Sequence, residues 1–276
     1  MSDPFVPPPA GPSANPYAAP ATVVADIPGG STSTAGFIPA GRVVDAGRSI
    51  TWYSGGWELF KKQPLMFIVL LVLWFVIAIV ASFIPLIGPL ALALVTPVFM
   101  AGMLLGCDAI NRGEELEVGH LFAGFKTEAG NLMIIGAIML GLQIAVMIVM
   151  AVVGMVFGVG LGAMLGGGSH SGIGAAGAFG GVIVILLLIV VLYVPINAAL
   201  YFAPALVVFN KVAPVEAMKT SLMAVFRNIV PFIVFAVVTM VAGVVAAIPI
   251  GLGWFVLGPV LMAILYVSYR DVFYDA

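Results

Sequence analysis

Few residues in this chain could do chemistry, and each is read first for what it could catalyse. His170 lies at the centre of Gly168-Ser169-His170-Ser171-Gly172. A nucleophile elbow needs Ser at that centre so that its Oγ is presented on a strained turn, and here His occupies it. An intramembrane serine protease would need a Ser and a His within helices, and no His follows His170. The segment therefore reads as a Gly-rich loop carrying a histidine. His120, the other histidine, follows Glu114, Glu115 and Glu117. Imidazole and carboxylates can hold a metal, but this spacing fits no defined ligand set, so an acidic turn leading into a helix is expected. Asp108 is the carboxylate nearest to hydrocarbon. Ionisable groups at membrane depth are candidate sites, yet Arg112 one helical turn later supplies a surface ion pair. Asn197, with Gln143 and Thr239, provides the main polar atoms at depth. These can bond across helices, and Asn197 could also reach a carbonyl freed near Pro195. Neither a cofactor nor a metal site is expected, and no catalytic residue is assigned.

The elements that hold these residues follow from composition. The chain is 63% hydrophobic and 8% charged, with a mean hydropathy of +1.23. A bilayer can accommodate that much apolar surface and a soluble core cannot. The net charge of −2 leaves no basic field for nucleic acid. The single cysteine, Cys107, excludes an internal disulfide. No Lys or Arg precedes Arg42 and no apolar stretch follows Met1, so no secretory leader is expected.

Six stretches approach the ~20 residues needed to cross ~30 Å of hydrocarbon. They are Leu65–Ile84, Pro89–Cys107, Leu132–Phe157, Val182–Phe209, Ile229–Ile250 and Trp254–Tyr274. The ten basic residues, Arg42, Arg48, Lys61, Lys62, Arg112, Lys126, Lys211, Lys219, Arg227 and Arg270, all fall on one side of such a bundle. Positive short loops stay cytoplasmic, so both termini are expected inside. Pro97, Pro195 and Pro204 each remove a backbone donor within a span, and the long fourth span should tilt or bend. Gly154, Gly158, Gly162 and Gly166 recur every four residues. Close helix packing is expected at the first two, and a connector beyond about Gly166. The fourteen methionines read as packing.

Residues Met1 to about Gly41 are rich in Pro, Ala, Gly and Ser and cannot bury a core. Residues 1–45 are expected to form a disordered cytoplasmic tail, and residues 46–276 an all-α transmembrane domain. The order of elements recurs in that domain. A short amphipathic stretch ends in an aromatic and a basic residue, and a hairpin of spans follows. The repeated endings are Trp57 and Phe60 with Lys61 and Lys62, Phe125 with Lys126, and Phe226 with Arg227. Three units of interfacial helix plus transmembrane hairpin are expected, with these eight residues ringing the cytoplasmic rim.

Trp57-x-x-Phe60-Lys61-x-x-Pro64, the three hairpins and the proline-broken even spans resemble a family of bacterial inner-membrane proteins. That family includes YciC-like proteins and the membrane domain fused to some glycerophosphodiester phosphodiesterases. The resemblance covers about Ala46 to the end. It implies an inner-membrane location and six helices, and it transfers no catalytic residue. The expected function is non-enzymatic: binding of membrane lipid, anionic lipid among the possibilities, or of a protein partner at the rim. Transport of an uncharged or lipidic substrate is the alternative.

Overall fold

The computed structural model describes the backbone of residues 36–165 and 175–274, with side chains for all of these except 156–165 and 175–182. Eleven helices occur among the described residues, and no strand is formed there beyond one isolated bridge. Six helical segments are long and apolar enough to cross a membrane: Pro64–Ser82, Ile87–Asn111, Ala129–Met155, Ile183–Asn210, Ile229–Ala247 and Trp254–Phe273.

In chain order, α1 (Arg48–Lys62) is an amphipathic entry helix. The first hairpin follows as α2 (Pro64–Ser82) and α3 (Ile87–Asn111). Two short turns, α4 (Val118–Leu121) and α5 (Ala123–Thr127), precede the second pair of spans. These are α6 (Ala129–Leu165), then α7 (Ala175–Tyr201) continued by α8 (Ala203–Asn210). Helix α9 (Pro214–Arg227) leads to the third hairpin, α10 (Ile229–Ala247) and α11 (Trp254–Phe273). Proline at the first positions of α2, α8 and α9 begins each helix where its missing N–H costs nothing.

Helices α3 and α11 form the interior, and α2 and α10 expose most of their apolar surface. Helix α1 buries Ser49, Trp52, Gly56, Leu59 and Phe60 along one stripe against α11. A Cβ on Gly56 would lie 2.5 Å from the Ile264 side chain and 2.9 Å from its backbone nitrogen. Helix α3 runs unbroken through Pro97. The carbonyl of Ala93 loses its usual donor there, and α6 passes so close that a Cβ on Gly136 would sit 2.8 Å from that oxygen. A Cβ on Gly154, by contrast, would meet nothing. The close packing expected at Gly154 is therefore absent, and it occurs at Gly136 instead. Helix α6 also continues eight residues past Phe157, to Leu165. Gly158, Gly162 and Gly166 have no described side-chain environment.

The fourth span is broken at Phe202, beside Pro204, and continues as helix through Pro195. At the bend the Ser221 hydroxyl of α9 enters the helical ladder. It accepts from the Phe202 N–H at 2.9 Å and donates to the Ala198 carbonyl at 2.6 Å. Such an inserted side chain fixes a kink.

The first and third hairpins turn alike. Pro85-Leu86 and Pro249-Ile250 each place an apolar residue in the left-handed region, at φ 66° and 54°. Seven residues after Ala81 and Ala246, respectively, come Gly88 and Gly253, where any Cβ would strike that alanine's backbone. Ile250 is 97% exposed, so no packing offsets its strain. Replacing it with Gly relieves about 1–2 kcal/mol of left-handed strain, against about 0.5–1 kcal/mol of added unfolded-state entropy. A modest rise in melting temperature in detergent is expected for Ile250→Gly, and a fall would show that the turn conformation is not costly.

Candidate functional site

Two polar junctions and a set of apolar cavities organise the molecule. The first junction centres on Asp271, near the end of α11 and buried. Arg42 donates to its Oδ1 at 2.6 Å and to its backbone carbonyl at 2.6 Å. Arg48 donates to Oδ2 at 2.9 Å and closely to Oδ1, and Trp52 Nε1 donates to Oδ2 at 2.7 Å. The hydrogen bond from Arg48 to Asp271 raises the guanidinium pKa. The backbone from Phe37 to Val44 lies on the same end of α11. Ile38 N–H donates to the Phe273 carbonyl and Arg42 N–H to that of Val272, both at 2.8 Å. Asn228 holds the other edge, accepting from Val44 N–H at 2.7 Å and donating to the Arg42 carbonyl at 3.0 Å. Residues 37–44, given to the tail by composition, are thus bonded to the helical domain. The rest of the expected tail, through residue 35, lies outside the described residues.

The second junction centres on Asp108. Arg112 pairs with its Oδ2, as the one-turn spacing predicts. Tyr266 of α11 also donates to its Oδ1 at 2.7 Å. Arg112 in turn bonds Glu114 at 2.9 Å and holds that carboxyl below the usual carboxylate range. His120 Nδ1 accepts from Glu117 N–H at 3.0 Å, so this imidazole caps α4. His170 lies outside the described residues.

The rim residues separate by burial. Trp57, Phe125 and Phe226 are 44%, 37% and 47% exposed, whereas Phe60 is only 4% exposed. Phe60 stacks between Trp57 and Phe67 at ring distances of 5.6 and 5.8 Å. It belongs to the buried stripe of α1, and its ring does not reach the surface. The spacing of Trp52, Gly56, Leu59 and Phe60 at i, i+4, i+7 and i+8 is the sequence signal for that stripe. Lys61, Lys62, Lys126 and Arg227 are all exposed. Lys61 pairs with Glu58 at 2.7 Å, and Arg227 donates to the Ala40 carbonyl at 3.0 Å. Lys62 and Lys126 make no ion pair among the described residues. Helix α9 turns Ala217, Ser221 and Ala224 inward and leaves Val215, Met223 and Phe226 outward, as a helix lying on a membrane surface does.

Two of the three polar residues at depth bond across helices. Gln143 donates to Tyr193 OH at 2.9 Å, and Thr239 forms a close hydroxyl pair with Tyr53. Asn197 instead donates to the Tyr193 carbonyl of its own helix at 2.8 Å. The acceptor that Pro195 frees belongs to Val191.

Apolar cavities lie beside these groups. One of about 420 Å³ is bounded by α7, α9 and α10, with Asn197, Tyr201, Phe232 and Phe235 in its wall. A second, of about 370 Å³, shares Asn197, Tyr201 and Phe235 with it and reaches inward to Thr96, Met139 and Met262. A third, of about 240 Å³, shares Thr96, Met100 and Met262 with the second and lies against α2.

Six apolar spans around an apolar interior, with charges gathered at their ends, define a multi-pass integral membrane protein. Residues 50–270 match DUF7847, a domain of unknown function, and the chain belongs to that family. It is also similar to a probable inner membrane protein of Burkholderia thailandensis, with 27% identity over 197 residues that cover 70% of this chain and 72% of that protein. No solved structure matches the chain. The chain is a multi-pass inner-membrane protein of an uncharacterised family.

Proposed function

We propose that this protein is non-enzymatic and binds anionic lipid at its cytoplasmic rim. The observation that carries the reading is the exposed set of Trp57, Lys62, Phe125, Lys126 and Phe226 on or beside short helices that precede membrane spans. Aromatic rings suit headgroup depth, and each basic group near an anionic leaflet gains about 1 kcal/mol. Lys61 and Arg227 are partly spent on Glu58 and Ala40, so they contribute less. The reading places both termini in the cytoplasm, because the short loops on that side carry the basic residues. It also treats the three hairpins as repeats, which the matching turns at Leu86 and Ile250 favour for the first and third. The likeness to YciC-like proteins and to the membrane domain fused to some phosphodiesterases fits a chain whose role is binding.

The test is native mass spectrometry of the purified protein from membranes containing both anionic and zwitterionic lipid. Lys61, Lys62, Lys126 and Arg227 changed together to Gln should weaken retention of the anionic lipid. Lys62 and Lys126 alone account for about 2 kcal/mol, a loss of roughly thirtyfold. Orientation is checked in the same variant by labelling Cys at Ser31 and Ser169 from opposite faces, in a Cys107→Ser background. Unchanged retention in a correctly inserted variant would leave the four residues as orientation signals and turn attention to a protein partner.

A second reading, transport of an uncharged or lipidic substrate, is favoured by the adjoining cavities beside the kinked fourth span.

A further inference from the structure

We infer that the gap between α7 and α10 is a lateral seat for one hydrocarbon chain of a membrane lipid, entered from the leaflet on the α9 side. The inference deepens the lipid-binding reading and rests on it for the headgroup alone.

Helix α10 packs on α1, α9 and α11 but leaves α7 almost untouched. The 420 Å³ groove occupies that gap. Its wall uses Tyr193–Tyr201 of the fourth span and Ile229–Ala236 of the fifth. Both stretches lie within membrane-crossing helices, so the medium at the mouth is hydrocarbon. Water has few partners to gain there, because the lining is nearly all carbon. The polar atoms present are largely spent. Tyr201 OH is paired with Ser268 at 3.3 Å, Tyr193 OH accepts from Gln143 at 2.9 Å, and Asn197 Nδ2 donates to the Tyr193 carbonyl at 2.8 Å.

The floor is rigid. Tyr201, Phe232 and Phe235 meet edge to face with ring centroids 5.2, 5.9 and 6.2 Å apart. Phe202 closes the cluster behind Phe232 at 5.8 Å. An aromatic wall whose rings already pack on one another presents a preformed surface to a chain. The groove does not end at the surface. It shares Asn197, Tyr201 and Phe235 with the 370 Å³ cavity, whose wall includes the buried Pro97, Ile135 and Leu265. Each cavity falls in the range of about 300–1,000 Å³ usual for small-molecule sites.

The outer end fixes which part of the lipid enters. Val225, at the last turn of α9, borders the groove, and exposed Arg227 and the outward Phe226 follow directly in sequence. A headgroup resting at this end of α9 would send its chain along the first two turns of α10 and inward toward Leu200 and Leu265.

The experiment uses the full chain in nanodiscs doped with two probes. One is a phosphatidylglycerol and the other a phosphatidylcholine, each with a diazirine near the end of one acyl chain. After illumination, adducts are mapped by peptide mass spectrometry. Adducts on the buried residues Ile135, Leu200 or Leu265 of the second cavity are expected. Adducts confined to outward residues such as Val190, Val237 and Met240 would mean surface lipid only and would overturn the inference. Ala236→Trp, at the mouth, should lower interior labelling several-fold and leave outward labelling unchanged. Ile233→Trp serves the same purpose if the first variant inserts poorly. Interior labelling that persists in both variants would place the entry elsewhere and also overturn the inference. Equal interior labelling by the two probes supports the chain seat while removing headgroup selectivity, so the two readings fail separately.

Discussion

Replacing Asp271 with Ala is expected to loosen both ends of the helical domain at once. The carboxylate accepts from Arg42, Arg48 and Trp52, and the Trp52 indole is buried. Leaving that donor unsatisfied costs about 1–3 kcal/mol. The two arginines are partly exposed and can turn to water, so each adds less than about 1 kcal/mol. The combined loss is roughly 1–5 kcal/mol. It should appear as a lower melting temperature in detergent and as protease cleavage at Arg42 and Arg48, which the intact junction shields. Asp271→Asn keeps acceptor oxygen and should lose about half as much. A melting temperature unchanged by Asp271→Ala would show that the junction is incidental to folding.

Ser221→Ala should act on the fourth span through a helix it does not belong to. The hydroxyl completes the ladder between Phe202 and Ala198 where the helix is open. Without it, a buried N–H is left unpaired at a cost of about 1–3 kcal/mol, unless the kink closes. Closure would straighten the span and withdraw Pro204 and Leu200 from the inner cavity they line. Distance measurements by paired spin labels on α7 and α8 distinguish the outcomes. A stability loss at fixed geometry indicates an unpaired donor, and a changed distance indicates a straightened helix. A variant with neither change would show that the hydroxyl does not hold the bend.

The spans were legible because hydropathy is a local property. The stretch expected at Leu65–Ile84 is a helix at Pro64–Ser82, and Val182–Phe209 is Ile183–Asn210. The bend of the fourth span was legible from Pro204, and the Asp108–Arg112 pair from its one-turn spacing. The Asp271 junction was not. Its partners lie 219 to 229 residues away, and no pattern in one sequence ties such positions together. Arg42 and Arg48 carry the positive-inside signal equally well whether or not they meet a carboxylate. Trp52 suits an interface as readily as a core. Phe60 was open to a better reading, since its register with Trp52 and Leu59 already placed it on the packed face. The middle entry segment departs from the helical pattern for a visible reason. Phe122 separates α4 from α5, and Gly124 lets the second turn press on the α3 backbone at Val98.

The Asp271 junction also orders events during synthesis. Arg42, Arg48 and Trp52 leave the ribosome first, and their acceptor emerges more than two hundred residues later. At about 5–20 residues per second, that interval is on the order of ten seconds or more. Throughout it the first span must reside in the bilayer with its entry helix unfastened. Closing so distant a contact is slow relative to local helix formation, so it comes last. The clasp then reports that every intervening span is in place. A nascent chain stalled before α11 would display two unmatched arginines and an indole, a mark by which a membrane protease could tell unfinished chains from finished ones.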